Sequence, residues 1–385
     1  MPLAAVYRKN AEAMARSEGG EFAFARRLQE KRRSDGTFRR IRIYRWPPFS
    51  DFTPFLYHPA RMTAMPRTPR ERIIHALERR PPIPGECVPH FELVFYLTME
   101  AFGKVHPSHR SFWQWDQMSA VERRLHRRDV ADLYVQIARR YDQSAIFVQP
   151  FVREDEMDPL AETIRELSGG DFLLVQHGDA TYGVPDGNHM EDFAVRMAED
   201  PEGLKAEAQR NADWAIQRGE RFAKSGLFDG FALCSDYAFN ANPFMSPAQF
   251  ADFVTPYLAK ITQAYRDMGL YVIKHTDGNI NPILDQLAQT RPHALHSIDP
   301  QGGMDIAQVK RLYGAQMCLI GNVNCGLIDT GTEEEMLASA RYALRHGMPG
   351  GGYVFSTSNC VYTGMKLSRY DTLLDCMRRE GVYAN

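Results

Sequence analysis

Short, mostly apolar runs, several of them uniformly so, alternate along the chain with longer stretches whose apolar residues recur at helical spacing. The runs are Cys87–Leu93, Ala145–Val148, Phe172–Gln176, Gly230–Cys234, Tyr271–Lys274, Ala294–Ile298, Met317–Ile320 and Gly352–Phe355. Runs without polar alternation suit strands buried on both faces, and strand–helix alternation implies a parallel sheet. Thr68-Pro69-Arg70-Glu71 has the form of a capping box with proline at the first helical position and predicts a helix over Glu71–Arg79. Ser246-Pro247-Ala248-Gln249 predicts another that runs to Met268 and stops at Gly269, and Thr332-Glu333-Glu334-Glu335 opens a third that ends near Gly347. Eight such units within roughly 300 residues fit a single closed (β/α)8 TIM barrel of the α/β class better than an open sheet. The stretch from Leu97 to Arg140 is too long for one crossover and predicts a helical insertion after the first strand that helps to cover the barrel mouth.

The first 65 residues break this pattern. They hold 13 Lys+Arg against 6 Asp+Glu, and Trp46-Pro47-Pro48 and Phe52-Thr53-Pro54-Phe55 interrupt any regular element. The organisation is therefore a basic extension over 1–65 and a barrel domain over 66–385. Three readings of the extension compete: a basic tail, an added arm at an oligomer interface such as a homodimer, and a start assigned upstream of a native Met62 or Met65.

Composition narrows the class. In 385 residues, 44% are hydrophobic and the net charge is −2, which gives enough apolar material to fold and no general electrostatic case for nucleic-acid binding. No apolar run approaches the ~18 residues of a membrane helix. The six cysteines form no CxxC pair, and the opening residues lack the pattern of a secretory signal, so a reducing cytoplasmic setting is expected.

In such barrels chemistry is built where the strands end. His90 and Glu92 lie in the second half of the first run, and the residues after the others are Gln149; His177 and Asp179; Asp236 and Asn240; His275 and Asp277; Asp299; Asn322; and Cys360. These positions hold no lysine or arginine. A site rich in imidazoles and acceptors suits a cation or a neutral substrate rather than a phosphate or a polycarboxylate. The sharpest set is His275, Asp277 and Cys360 as ligands of an open zinc site, since an H-x-D pair at a strand end turns both side chains to one side of the sheet. The competing structural reading makes Asp277 a helix cap and Cys360 a small buried hydrophobe. Glu92, His177 and Asp236 are the candidate catalytic groups, and His90, Gln149, Asn240, Asp299 and Asn322 the candidate substrate contacts.

Five segments carry a family resemblance: Thr68-Pro69-Arg70-Glu71-Arg72, Lys274-His275-Thr276-Asp277-Gly278-Asn279, His296-Ser297-Ile298-Asp299-Pro300, Leu319-Ile320-Gly321-Asn322-Val323-Asn324 and Gly351-Gly352-Tyr353-Val354-Phe355-Ser356-Thr357-Ser358-Asn359. Over roughly Thr68 to Tyr383 the chain resembles the uroporphyrinogen decarboxylase superfamily, whose fold is a (β/α)8 barrel. The decarboxylase branch carries an R-x-x-G-R motif after the first strand, where this chain reads Pro89-His90-Phe91-Glu92-Leu93-Val94-Phe95. With a carboxylate in place of the arginines, a many-carboxylate tetrapyrrole would be repelled, so decarboxylation is not expected. The other branch holds corrinoid-dependent methyltransferases, whose thiol-methylating members bind zinc through an H-x-C pair and a later cysteine. The matching positions are His275, Asp277 and Cys360, with Asp277 for the first cysteine. That exchange makes a bound metal harder. The resemblance thus implies transfer of a methyl group from a small methoxy- or N-methyl compound to a corrinoid protein's cobalt. Two other readings stand beside it: a metal-dependent lyase or hydrolase on a small neutral molecule, and a non-catalytic corrin- or tetrapyrrole-binding barrel.

Overall fold

The computed structural model describes residues 67–384, so every expectation for residues 1–65 lies outside the described residues. Seven parallel strands follow one another in chain order: β1 (Ala145–Val148), β2 (Leu173–His177), β3 (Gly230–Leu233), β4 (Tyr271–Thr276), β5 (Ala294–Ser297), β6 (Cys318–Gly321) and β7 (Tyr353–Val354). Each coincides with one of the apolar runs to within a residue or two. Ladder registers such as His275↔His296 and Thr276↔Ser297 between β4 and β5 set which side chains meet across the sheet.

The eighth stave, expected over Cys87–Leu93, is present but is not a regular strand. His90 makes isolated parallel bridges to Gln143, just before β1, and to Phe355, just after β7. The closing bonds are Phe91 N–H to Phe355 O at 3.1 Å, Phe355 N–H to Pro89 O at 2.8 Å and Ser144 N–H to His90 O at 2.6 Å. Pro89 has no N–H to give, which shortens the ladder there. The ring is closed nonetheless, and the fold is a TIM barrel with a helical insertion: Thr98–Phe102, two short 3-10 turns and the long helix Ala120–Arg140.

The caps predicted at Thr68, Ser246 and Thr332 are all formed, each with the reciprocal hydrogen bonds of a capping box. The single helix expected from Pro247 to Met268 is instead two, Pro247–Phe253 and Thr255–Asp267. Pro256 accounts for the break, because its ring lacks a donor and crowds the preceding turn. Two apolar layers result. One fills the barrel interior with Phe91, Phe147, Val175, Ala232, Ile273, Ile320 and Val354. The other lies between strands and helices, where Phe231 stacks on Tyr265 with ring centroids 4.3 Å apart. No described helix is long and apolar enough to cross a membrane.

Candidate active site

The C-terminal ends of β3 and β4 bring three side chains together. Ligand atoms of Asp236, His275 and Asp277 all lie within 4.8 Å of one another. His275 Nε2 stands 3.6 Å from Asp236 Oδ1 and 3.7 Å from Asp277 Oδ2. The group forms because β4 continues through His275 to Thr276, so the imidazole sits inside the ladder and Asp277 is the first residue beyond it. Backbone donors hold the carboxylates in place: Asp277 N–H reaches Asp236 Oδ1 at 3.1 Å, and Gly278 N–H reaches Asp299 Oδ2 at 3.2 Å. Gly278 adopts φ +78°, and a Cβ there would lie 2.6 Å from Ala238 O, so only glycine lets the two mouth loops pack this closely. The carboxamide of Asn359, from the loop after β7, donates to Asp277 Oδ2.

Burial falls off toward solvent across the group: the side chains of His275, Asp277 and Asp236 are 6%, 22% and 49% exposed. Burial, with the Lys274 ammonium next to it, pushes the His275 imidazole down to about 3, so the ring is neutral and one nitrogen carries a lone pair. Burial, with Asp236 beside it, pushes the Asp277 carboxyl up to about 7. Two crowded carboxyls flank a neutral imidazole, and the buried Oδ1 of Asp277 has no hydrogen-bond partner. A nitrogen and two oxygens at this spacing fit a divalent cation of the zinc type, which would relieve both the repulsion and the orphaned oxygen.

The other predicted residues lie as follows. Cys360 stands outside the three-residue group. Its partly buried thiol lies near Asp277 and Glu92, and burial together with those charges pushes it well above the usual thiol range. Glu92 is fully enclosed, accepting from Thr357 Oγ1 at 2.6 Å, Thr357 N–H at 3.2 Å and Ser356 Oγ at 3.4 Å, with His90 Nε2 3.2 Å away. It also borders a small internal gap of about 20 Å³ beneath His106 and Tyr134 of the insertion. His90 has both ring nitrogens engaged, Nδ1 with Tyr141 O at 2.8 Å and Nε2 facing Glu92. Asp299 is buried and caps the following turn through Gln301 N–H at 3.0 Å. Asn322 donates to Ile298 O at 3.0 Å. Asn240 is exposed on the loop after β3, and Gln149 is half-buried beyond β1. His177 lines a separate cleft of about 110 Å³ with Phe151, Gln176 and Arg218.

Several neighbours of the site were not anticipated. Arg218 brings a cation to the end of β2, with Nη2 2.8 Å from Gln176 Oε1, although no strand end carries one. It comes from the helix Pro201–Ser225 and is paired with Glu154 at 2.6 Å. His296, on β5, meets His275 Nδ1 to Nδ1 at 2.7 Å. Aligning the polar ends of the fifth and sixth runs would have placed these two imidazoles side by side. Beneath the mouth, Lys274 and Asp179 form an ion pair at 2.8 Å, both nearly solvent-free.

A family model described as Uroporphyrinogen decarboxylase (URO-D) matches residues 180–380, more than half of the chain. Among curated proteins no match is found. Among solved structures, a methyltransferase from Methanosarcina mazei superposes with a TM-score of 0.62 at 17% identity, covering 82% of this chain and 99% of that one. A D-psicose 3-epimerase from Clostridium cellulolyticum, solved with D-tagatose, superposes with a TM-score of 0.41 at 10% identity, covering 64% of this chain and 92% of that one. At these identities the likeness concerns the fold alone.

Proposed function

The chain belongs to the uroporphyrinogen decarboxylase family, and on that premise we propose that it is a metal-assisted methyltransferase, moving a methyl group from a small methoxy- or N-methyl compound to the cobalt of a corrinoid protein. The observation that carries this reading is the Asp236–His275–Asp277 group at the barrel mouth. Similarity of fold to the Methanosarcina methyltransferase supports it. Decarboxylation of a polycarboxylate fits the site poorly, because Asp236 and Asp277 would face the substrate while the charge of Arg218 is already met by Glu154.

His275, Asp277 and Asp236 would hold the cation, with the thiol of Cys360 nearby. A zinc ion there would supply Lewis acidity toward the heteroatom that loses its methyl group. The chain's own contributions follow from the geometry. His275 offers a neutral lone pair, and the two carboxylates set the charge. Half-exposed Asp236 faces incoming substrate and can accept an N–H or O–H from it. Asp277 must give up its proton before it can act as a ligand.

That last point has a sign. Because burial and Asp236 raise the Asp277 carboxyl to about 7, zinc affinity is expected to fall about tenfold per pH unit below about 7 and to level off above it, as read by calorimetric titration from pH 5 to 8. In the metal-free protein the raised carboxyl contributes stability that is present below the ordinary carboxylate range and lost as pH rises through about 7.

The activity test combines elemental analysis of the purified protein with incubation of methoxy- and N-methyl compounds and cob(I)alamin, followed by the visible spectrum. Donor-dependent formation of methylcobalamin, abolished by a chelator, is the expected result. Donor consumed with no methylcobalamin formed would point to the lyase or hydrolase reading, and metal-loaded protein inert toward every donor would sink the methyltransferase.

A further inference from the structure

Behind the mouth a single file of buried polar side chains crosses the barrel. His275 Nδ1 meets His296 Nδ1 at 2.7 Å, His296 Nε2 meets Ser356 Oγ at 3.2 Å, and Ser356 Oγ meets Glu92 Oε2 at 3.4 Å. All four residues are at most 5% exposed, so water does not compete for these contacts. They come from β4, β5, the loop after β7 and the closing stave.

The direction of the file follows from what each atom can do. Glu92 Oε2 takes the Thr357 N–H at 3.2 Å, and an amide N–H can only donate, so Oε2 is an acceptor. The Ser356 hydroxyl therefore gives its proton to Oε2, and its oxygen is left to accept from His296. A neutral His296 that donates through Nε2 has a bare Nδ1, which must receive a proton from His275 Nδ1. His275, with its one proton on Nδ1, then has a bare Nε2. The distances from Nε2 to the Asp236 and Asp277 carboxylates, 3.6 and 3.7 Å, are too long for a donated hydrogen bond, as a bare nitrogen requires.

We propose that Glu92, acting through Ser356 and His296, is a positioning residue that fixes His275 as its Nδ1–H tautomer and so turns the Nε2 lone pair toward Asp236 and Asp277. The inference rests on the proposed ligand role of His275 and adds to it a control exerted from across the barrel. Sequence separation hides this link, since Glu92 and Ser356 are 264 positions apart. Hydrogen-bond partners behind metal-binding imidazoles commonly set the tautomer, and their loss costs about 10–100-fold in metal affinity.

The test is nitrogen NMR of histidine-labelled, metal-free protein at neutral pH, followed by titration with Co(II). In the wild type, His275 is expected to show a protonated Nδ1 and an unprotonated Nε2. An Nε2–H tautomer would overturn the proposal. Ser356→Ala removes one hydroxyl from the file and leaves the packing intact. It is expected to populate the other His275 tautomer and to weaken Co(II) binding about tenfold, with an unchanged circular dichroism spectrum. An S356A protein with wild-type tautomer and wild-type Co(II) affinity would also overturn it. Should the wild type show the expected tautomer yet bind no Co(II), the file stands and the metal-site reading fails, so the two are separable.

Discussion

Lys274→Met is expected to destabilise the fold by about 3–5 kcal/mol, the usual cost of leaving one member of a buried ion pair without its partner. The ammonium donates to Asp179 Oδ2 at 2.8 Å, Ser235 O at 2.9 Å and Leu233 O at 3.1 Å, and it lies 4.1 Å from the centre of the Tyr237 ring. Burial pushes the Asp179 carboxyl up, but Lys274 and the Thr181 donors outweigh it and hold the group well below the usual carboxylate range. A depressed folded value contributes stability that is present above the unfolded carboxyl's range and lost as pH falls through the depressed one. Without Lys274 the same carboxyl is driven up by burial, and a raised carboxyl loses stability as pH rises, so the cost of the single variant should shrink as pH falls. Urea unfolding of the single variant and of Lys274→Met combined with Asp179→Asn reads this out. The double variant should recover much of the loss, and a single-variant cost below about 1 kcal/mol would show that the pair is not a keystone of the mouth.

His275→Ala is expected to weaken Zn(II) binding by at least about 100-fold, since loss of a ligand exceeds the loss of a partner behind it, and to remove methyl transfer to cob(I)alamin to a similar degree. The fold should survive. The change unpairs His296 Nδ1, worth about 1–3 kcal/mol, yet the rest of the β4 ladder is backbone. Calorimetric titration with Zn(II) alongside a thermal melt separates the two effects. Zn(II) affinity equal to wild type would place the cation elsewhere.

Most of the architecture could be read from the chain because buried parallel strands are apolar on both faces and announce themselves as short runs. Two departures have local causes. The stave at Cys87–Leu93 reads as a strand but is limited by Pro89, and the helix from Pro247 ends at Phe253 because of Pro256. At the site, searching strand ends leads to Asp236, His275 and Asp277, but spacing along the chain does not say which third group joins the imidazole–carboxylate pair. Asp236 and Cys360 both follow strands, and the carboxylate is the one that lies within 4.8 Å of both His275 and Asp277. Arg218 and His296 show a further limit. An arginine midway along a helix can reach a strand end through its long side chain, and two histidines 21 positions apart become neighbours through the register of adjacent strands.

The barrel closes at a seam rather than a ladder, and that has a consequence for its mechanics. Elsewhere around the circumference, parting two strands breaks several cooperative bonds at once, whereas between β7 and β1 it breaks a few bridges around Pro89 and His90. The hoop is therefore slackest beside Glu92, and the first breath of the molecule should loosen the end of the file farthest from His275.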